Sequence, residues 1–297
     1  VSGLPPITVL KGGISSEREV SLRTGAAVAR ALRTLGADVE ELDVTSVDFA
    51  LPPKDRILFI GLHGTYGEDG QIQERLEAEG RRYTGSGPVP CRLAFDKLKA
   101  RERFTAAGIR VARGGLWHGG ITWKLPYVLK PVADGSSVGV SLVRSLEDEP
   151  RAREESLALG KPMMVEDLIE GRELTVGVLD GSALPVVEMR PKEGFYDYQN
   201  KYTAGKTEHF CPAPLEDWAT RSVQDVAVKA YHALGTQVYG RVDVILPSDG
   251  SGPVVLELNA LPGMTDLSLL PEAAAAAGIS FAELCARIVH LSLEARP

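Results

Sequence analysis

The stretches Gly240-Arg241-Val242-Asp243 and Glu257-Leu258-Asn259-Ala260-Leu261-Pro262-Gly263 decide how this chain is read. Both lie in apolar runs of strand character, over 238–246 and 253–259, with the turn residues Ser248-Asp249-Gly250-Ser251-Gly252 between them. Side chains of a strand alternate, so Arg241 and Asp243 share one face while Val242 and Val244 take the other. Antiparallel pairing about Gly250 sets Asp243 across from Glu257 and Arg241 across from Asn259. Two carboxylates directly opposite each other repel. A hard cation removes that repulsion, and the oxygens of Asp243, Glu257 and Asn259 are ligands that Mg²⁺ prefers. The expectation is a metal platform with a guanidinium beside it, suited to handling phosphate.

The rest of the composition is that of an ordinary globular protein. The chain has 297 residues, 44% hydrophobic and 25% charged, with a net charge of −7. That length buries a full core and predicts two or three domains. An acidic balance gives no general attraction to nucleic acid or to anionic membrane. No apolar run reaches transmembrane length and no signal-peptide pattern is present. Cys91, Cys211 and Cys285 are odd in number and far apart, without a CxxC pair. This argues against a disulfide framework or zinc site and for a reducing cytoplasm.

Working back from the hairpin, the first ~90 residues alternate strand and helix, which predicts a parallel sheet. Strands are expected at 7–10 and 57–62, with helices behind Gly12-Gly13 and over 70–79. Ser16-Glu17-Arg18-Glu19 has the form of a capping box. One continuous helix is expected over 93–107, ended by Gly108. Strand 126–130 leads to the small-residue loop 134–139, followed by a charged helix over 146–159 and a strand over 162–166. Asp180-Gly181 between runs 174–179 and 183–189 is a strong hairpin signal. The polar, aromatic segment 194–210 has no regular pattern, and long irregular loops in compact domains are commonly lids or binding loops. An amphipathic helix over 216–234 precedes the acidic hairpin, and helices near 267–277 and 281–294 close the chain.

Phosphate handling also needs cations and backbone donors. Lys97, Lys130 and Lys201 sit beside loops or strand ends, where a side chain reaches a ligand or is simply a solvated surface charge. The loop 134–139 offers N–H groups as glycine-rich loops do, without matching the Walker pattern. Glu17 in a first helical turn is favoured by the macrodipole by ~0.3–1 kcal/mol. The double-glycine loop equally exposes it to pair with a ligand ammonium. His63 ends a buried strand, where α/β proteins place ligands, and fits a structural histidine as well as a substrate contact.

The run Gly12-Gly13-x-Ser15-x-Glu17-x-Glu19-Val20-Ser21 resembles the N-terminal signature of the D-alanine–D-alanine ligases. The likeness continues through Leu62-His63-Gly64 with Gly67-Glu68-Asp69-Gly70, Tyr83-Thr84-Gly85-Ser86 and Asp96-Lys97. It runs on through Lys130-Pro131, Gly135-Ser136-Ser137-Val138-Gly139, Glu170-Gly171-x-Glu173 and Phe195-Tyr196-Asp197-Tyr198 with Lys201-Tyr202. It closes on Arg241, Asp243, Glu257, Asn259, Pro262-Gly263-Met264-Thr265 and Ser268-Leu269. The resemblance implies α/β and α+β architecture: an N-terminal parallel α/β domain followed by a two-lobed ATP-grasp fold. The implied division is 1–92 for substrate binding, 93–170 for the central small lobe, and 171–297 for the C-terminal lobe with a lid at 194–210.

The resemblance also assigns roles. It implies ATP and two Mg²⁺ ions (or Mn²⁺) held by Asp243, Glu257 and Asn259. Lys97 and Lys130 contact phosphates and Lys201 the transferred group; Glu166 and Leu168 lie near the base, and Glu173 accepts ribose hydroxyls. Arg241 and the Gly263 N–H stabilise an oxyanion. Glu17 pairs with the first D-alanine ammonium, and His63 lies near its carboxylate. Ser268 and the Leu269 N–H take the second carboxylate. Tyr202, with Ser136 and Glu17, forms a latch over the site. A cytoplasmic homodimer with no nucleic-acid or membrane partner is implied as well. Two features depart from relatives: Asp167 stands where many carry lysine, and the stretch 114–124 is short. The alternatives are a D-alanine–D-lactate or other carboxylate–amine ligase, and a nucleotide-binding regulator whose chemistry has decayed. The last needs a lost metal ligand or phosphate lysine, and none is missing.

Overall fold

The computed structural model describes residues 3–120, 123–135, 138–191, 207–265 and 268–296. Near the N-terminus, β1 (Ile7–Gly12), β2 (Val39–Val44) and β3 (Ile57–Ile60) pair in parallel in the order β2-β1-β3. The all-buried run of β3 is what a strand covered on both faces requires. Helix α1 (Arg18–Thr34) crosses between the first two strands, burying Val20, Ala27, Val28, Ala31 and Leu32. Its start corrects the capping-box expectation: the N-cap is Glu17 and no side chain caps the helix. Ser15 intervenes, its Oγ accepting the Glu17 N–H at 3.1 Å and donating to the His63 carbonyl at 2.6 Å. The loop before α1 is thereby tied to the chain leaving β3.

After α2 (Gln71–Ala78), the expected helix over 93–107 is two helices, α3 (Pro88–Phe95) and α4 (Lys97–Ala106). The break is at Asp96, which is extended and accepts N–H bonds from Leu98 and Lys99, both 3.1 Å. A carboxylate capping two orphan donors outcompetes helical continuation.

A second sheet, antiparallel in the order β4-β7-β5-β6, is made by β4 (Gly114–Leu116), β5 (Tyr127–Pro131), β6 (Ser141–Val143) and β7 (Met163–Asp167). Helix α5 (Glu149–Ala158) covers it, and Tyr127, Leu129, Val143, Ala152 and Val165 form its small core.

The third sheet runs β11-β10-β8-β12-β13, with β9 paired to β8. Its strands are β8 (Gly171–Leu179), β9 (Ser182–Ala183), β10 (Val187–Pro191), β11 (Thr207–Phe210), β12 (Tyr239–Pro247) and β13 (Val254–Asn259). Asp180 and Gly181 turn β8 into β9 with φ of 50° and 70°, the left-handed pair of a type I′ turn. The expected strand over 183–189 is interrupted after Ala183 and rejoins β8 as β10, with Val187 across from Thr175. Helix α6 (Asp217–Ala233) packs on this sheet together with α3 and α4, through Cys91, Ala100, Phe104, Val223, Ala227, Val242 and Leu258. Helices α7 (Leu269–Ala276) and α8 (Phe281–Ala295) return to the first sheet, where Leu270, Ala273, Leu284 and Ile288 join Ile7, Leu32 and Phe59 in one core. Among the described residues no single helix is long and apolar enough to cross a membrane.

Candidate active site

Strands β12 and β13 pair in the register the spacing predicts: Arg241 with Asn259, Val242 with Leu258, Asp243 with Glu257. Val242, Val244, Val255 and Leu258 turn into the core, which forces Asp243 and Glu257 to the opposite face. Beyond Asp243 the ladder slips, so that Val244 meets Val255 rather than Leu256. This bulge adds Leu256 to the acidic face, and Leu256 and Glu257 both line a cavity of about 610 Å³.

Cations offset the acid–acid repulsion. Arg241 grips Asp243 with Nε at 2.9 Å and Nη2 at 2.8 Å, and Lys97 Nζ stands 3.5 Å from Glu257. Asp243 also receives Thr175 Oγ1 at 2.6 Å and Asn259 Nδ2 at 3.2 Å. Among the described residues no group of three or more His, Cys, Asp or Glu gathers to hold a metal. The chain offers the carboxylates of Asp243 and Glu257 at the cavity wall, with the Asn259 carboxamide beside Asp243 but not among the wall residues. That set suits a hard cation which completes its shell with phosphate oxygens and water.

The cavity lies between the second and third sheets, and Lys97, Lys130, Glu166, Leu168, Glu173, Asp243 and Glu257 all line it. Val128, Val140, Leu142, Met189 and Ile245 supply apolar walls. Its size and its few convergent polar groups are those of a small-molecule site. Lys97 is fixed from both ends: its N–H bonds the Val132 carbonyl at 2.9 Å, and its Nζ donates to the Asp134 carbonyl at 2.6 Å. Lys130 donates to Glu166 Oε1, and Arg101 Nη1 donates to Oε2 at 2.9 Å. Gly114 makes room there, since a Cβ would stand 2.7 Å from that of Glu166. The Glu173 carboxyl is pushed up to about 7, by burial first and by the charge of Asp243 second. The Leu168 N–H is spent on the Pro126 carbonyl at 3.2 Å, so its backbone donor is not the one facing the cavity; Ile169 lines the cavity beside it. At the departing position, Asp167 pairs with Arg113 and accepts Trp123 Nε1 at 2.8 Å, and the guanidinium holds its carboxyl below the usual range.

Glu17, His63, Arg241, Gly263, Ser268 and Leu269 are not among the residues of that cavity wall. Glu17 adjoins it through Gly135, where a Cβ would come within 2.9 Å of Glu17 Oε2. His63 is buried with both ring nitrogens engaged, Nε2 with Thr24 Oγ1 at 2.9 Å and Nδ1 with Glu68 Oε1 at 3.0 Å. Thr24 carries no sequence signal of this role; Glu68 stands in a quoted motif without an assigned partner. Ser268 is the N-cap of α7, with its Oγ 2.9 Å from the Thr265 N and 2.8 Å from the Thr265 hydroxyl. Gly263 abuts it, a Cβ there falling 2.9 Å from Ser268 Oγ. Ser136, Lys201 and Tyr202 lie outside the described residues.

Residues 119–290 match the family model described as D-ala D-ala ligase C-terminus. The D-alanine–D-alanine ligase of Methylacidiphilum infernorum is 48% identical over 288 residues, covering 96% of this chain and 95% of that protein. That of Halalkalibacterium halodurans is 41% identical over 302 residues, covering 97% and 99%. A crystal structure of D-alanine–D-alanine ligase from Bacillus anthracis complexed with ATP matches with a TM-score of 0.85 and 31% identity, over 99% of each chain. The expected fold class, a parallel α/β unit followed by a two-lobed ATP-grasp fold, is borne out by that match and by the three sheets. Identity above 40% along almost the whole length, with a solved fold that leaves almost nothing unmatched, makes this chain a member of the D-alanine–D-alanine ligase family.

Proposed function

We propose that the protein joins two molecules of D-alanine at the expense of ATP, giving D-alanyl-D-alanine for peptidoglycan synthesis. One observation carries this reading: Asp243 and Glu257 lie opposite each other on the wall of a cavity that also presents Lys97 and Lys130. The γ-phosphoryl group of ATP passes to a carboxylate oxygen of the first D-alanine, leaving ADP. The amine of the second D-alanine then attacks the acyl carbon and loses a proton as inorganic phosphate departs.

Lys97 and Lys130 lie over the phosphates, and Lys201 meets the group in transfer. Glu166, together with backbone at Leu168 and Ile169, faces the base, and Glu173 accepts from the ribose. Asp243, Glu257 and Asn259 would hold two Mg²⁺ ions (or Mn²⁺), which would neutralise phosphate charge and orient the transfer. Glu17 holds the first ammonium and His63 stands near the first carboxylate. Arg241 and the Gly263 N–H stabilise the tetrahedral oxyanion, where loss of one donor costs ~3–4 kcal/mol. Ser268 and the Leu269 N–H, at the start of α7, receive the second carboxylate. Tyr202, with Ser136 and Glu17, latches the segment 194–210 over the acyl phosphate and keeps water away. Residues 1–92, 93–170 and 171–297 act as substrate domain, small lobe and C-terminal lobe, in a cytoplasmic homodimer.

The test is ATP turnover with D-alanine, D-lactate or neither, with the product identified by mass. D-alanine-dependent release of phosphate and a dipeptide mass support the reading. Turnover stimulated only by L-amino acids or unrelated acids removes D-alanine as substrate, and an ester product with D-lactate turns the assignment to a depsipeptide ligase. Sedimentation of a monomer at working concentration removes the dimer.

A further inference from the structure

Glu166 is held between two cations that arrive from different parts of the fold. Lys130, on β5, takes Oε1, and Arg101, on α4, takes Oε2 at 2.9 Å. Lys130 and Glu166 line the cavity, whereas Arg101 is not part of its wall and stands behind the carboxylate. The Arg101 side chain is only 12% exposed, and its Nη2 is anchored on the Ala112 carbonyl at 2.5 Å. Helix α4 is a firm base for this contact, since Ala100 and Phe104 are set in the core of the third sheet. Lys97 lies one turn earlier on the same face, reaching towards Glu257.

The two cations differ in what they can do once a nucleotide is bound. On the reading above, Lys130 turns to a phosphate and leaves Oε1. The buried Glu166 carboxylate then keeps Arg101 as the partner that fixes its place. Arginine stays charged at all working pH values, and its planar fork fixes direction as well as charge. With Arg101 on Oε2, the carboxylate keeps its orientation and presents Oε1 as an acceptor.

We infer that Arg101 is a positioning residue: it holds Glu166 as a fixed acceptor when Lys130 changes partner, so that the cavity selects a purine carrying an exocyclic amine over one carrying a carbonyl. An amine donates to Oε1; a carbonyl in the same place meets lone pair with lone pair, which a buried acceptor rejects strongly. The inference rests on the nucleotide-site reading but not on the identity of the amino-acid substrate.

Equilibrium titration of the full chain with ATP and with ITP, which differ in amine against carbonyl, reads this directly. Wild type is expected to favour ATP. Arg101→Met should weaken ATP binding on the order of tenfold, the worth of one hydrogen bond to a charged group. ITP binding should change by less than about threefold, so that the preference narrows. Arg101→Lys keeps the charge without the fork and should fall between the two; it carries the same comparison if Arg101→Met does not fold. In a Glu166→Gln background, Arg101→Met should add almost nothing, because the effect passes through Glu166. Equal weakening of ATP and ITP, or full additivity with Glu166→Gln, would overturn the role of Arg101, as would a wild type indifferent to the two nucleotides. A wild type that prefers ATP yet shows no D-alanine-dependent turnover would overturn the proposed reaction and leave the inference standing.

Discussion

Asp243 and Glu257 face each other across two hydrogen-bonded strands, and each is met by a cation from a different direction. Arg241 reaches Asp243 from the same strand at 2.8 Å, while Lys97 approaches Glu257 from the first turn of α4 at 3.5 Å. The acidic pair is thus tolerable to the fold through these two side chains. On the proposed reading arginine and metal would act on the same carboxylate, coupling metal affinity to the disposition of Arg241.

Asp243→Asn and Glu257→Gln should each lower kcat by at least about a hundredfold, since the charge lost is worth several kcal/mol in the transition state. Calorimetric titration should also show ATP binding that no longer responds to magnesium. An unaltered magnesium response in both variants would remove this pair from the reaction.

Glu173 makes the fold sensitive to pH. Its carboxyl is raised from 4.5 to about 7, so the folded protein retains a proton that the unfolded chain releases. That contribution to stability is complete below the unfolded value and disappears as pH rises through the folded one, amounting to at most about 3 kcal/mol. In a chelator, Glu173→Gln should therefore gain in melting temperature relative to wild type between pH 4.5 and pH 8. A difference that stays flat across that window would mean the carboxyl titrates normally.

His63 should depend on its two neighbours. Thr24→Val or Glu68→Leu removes one of the bonds that orient the ring. Either should raise the KM for D-alanine about five- to tenfold, the value of one such bond, and leave the KM for ATP nearly unchanged. Equal changes for both substrates would point to general loosening of the first sheet.

Asp96→Ala deletes the cap that separates α3 from α4 and accepts two N–H groups. The loss of about 1 kcal/mol of stability should be visible as a lower melting temperature. Because Lys97 is the next residue, nucleotide affinity should fall as well. A variant that melts lower yet binds ATP as before would separate the cap from the placing of Lys97.

The central hairpin was legible because a period of two and one turn leave a single register that buries Val242 and Val244 while exposing the acids. The parallel first sheet and the Asp180-Gly181 turn were legible for the same local reasons. What was not legible is tertiary. Asp96 reads as a helix-interior residue until the Lys97 N–H is seen bonded to Val132. Ser16 has the form of a cap, but Ser15 does the tying because its hydroxyl can also reach the His63 carbonyl. Leu168 lost its backbone donor to Pro126, a partner from across the loop. Arg101 and Glu166 are 65 positions apart, and nothing in the local pattern of either announces the other.

The slip after Asp243 has a further meaning for how this pocket can change. Leu256 is a surplus residue in its ladder: with it removed, Val244 and Val255 would still adjoin the Asp243–Glu257 pair without interruption. Greasy floor and charged floor are therefore separable modules, written by neighbouring codons. A lineage could resize or delete the first to suit a different ligand while the paired carboxylates of the second keep their register.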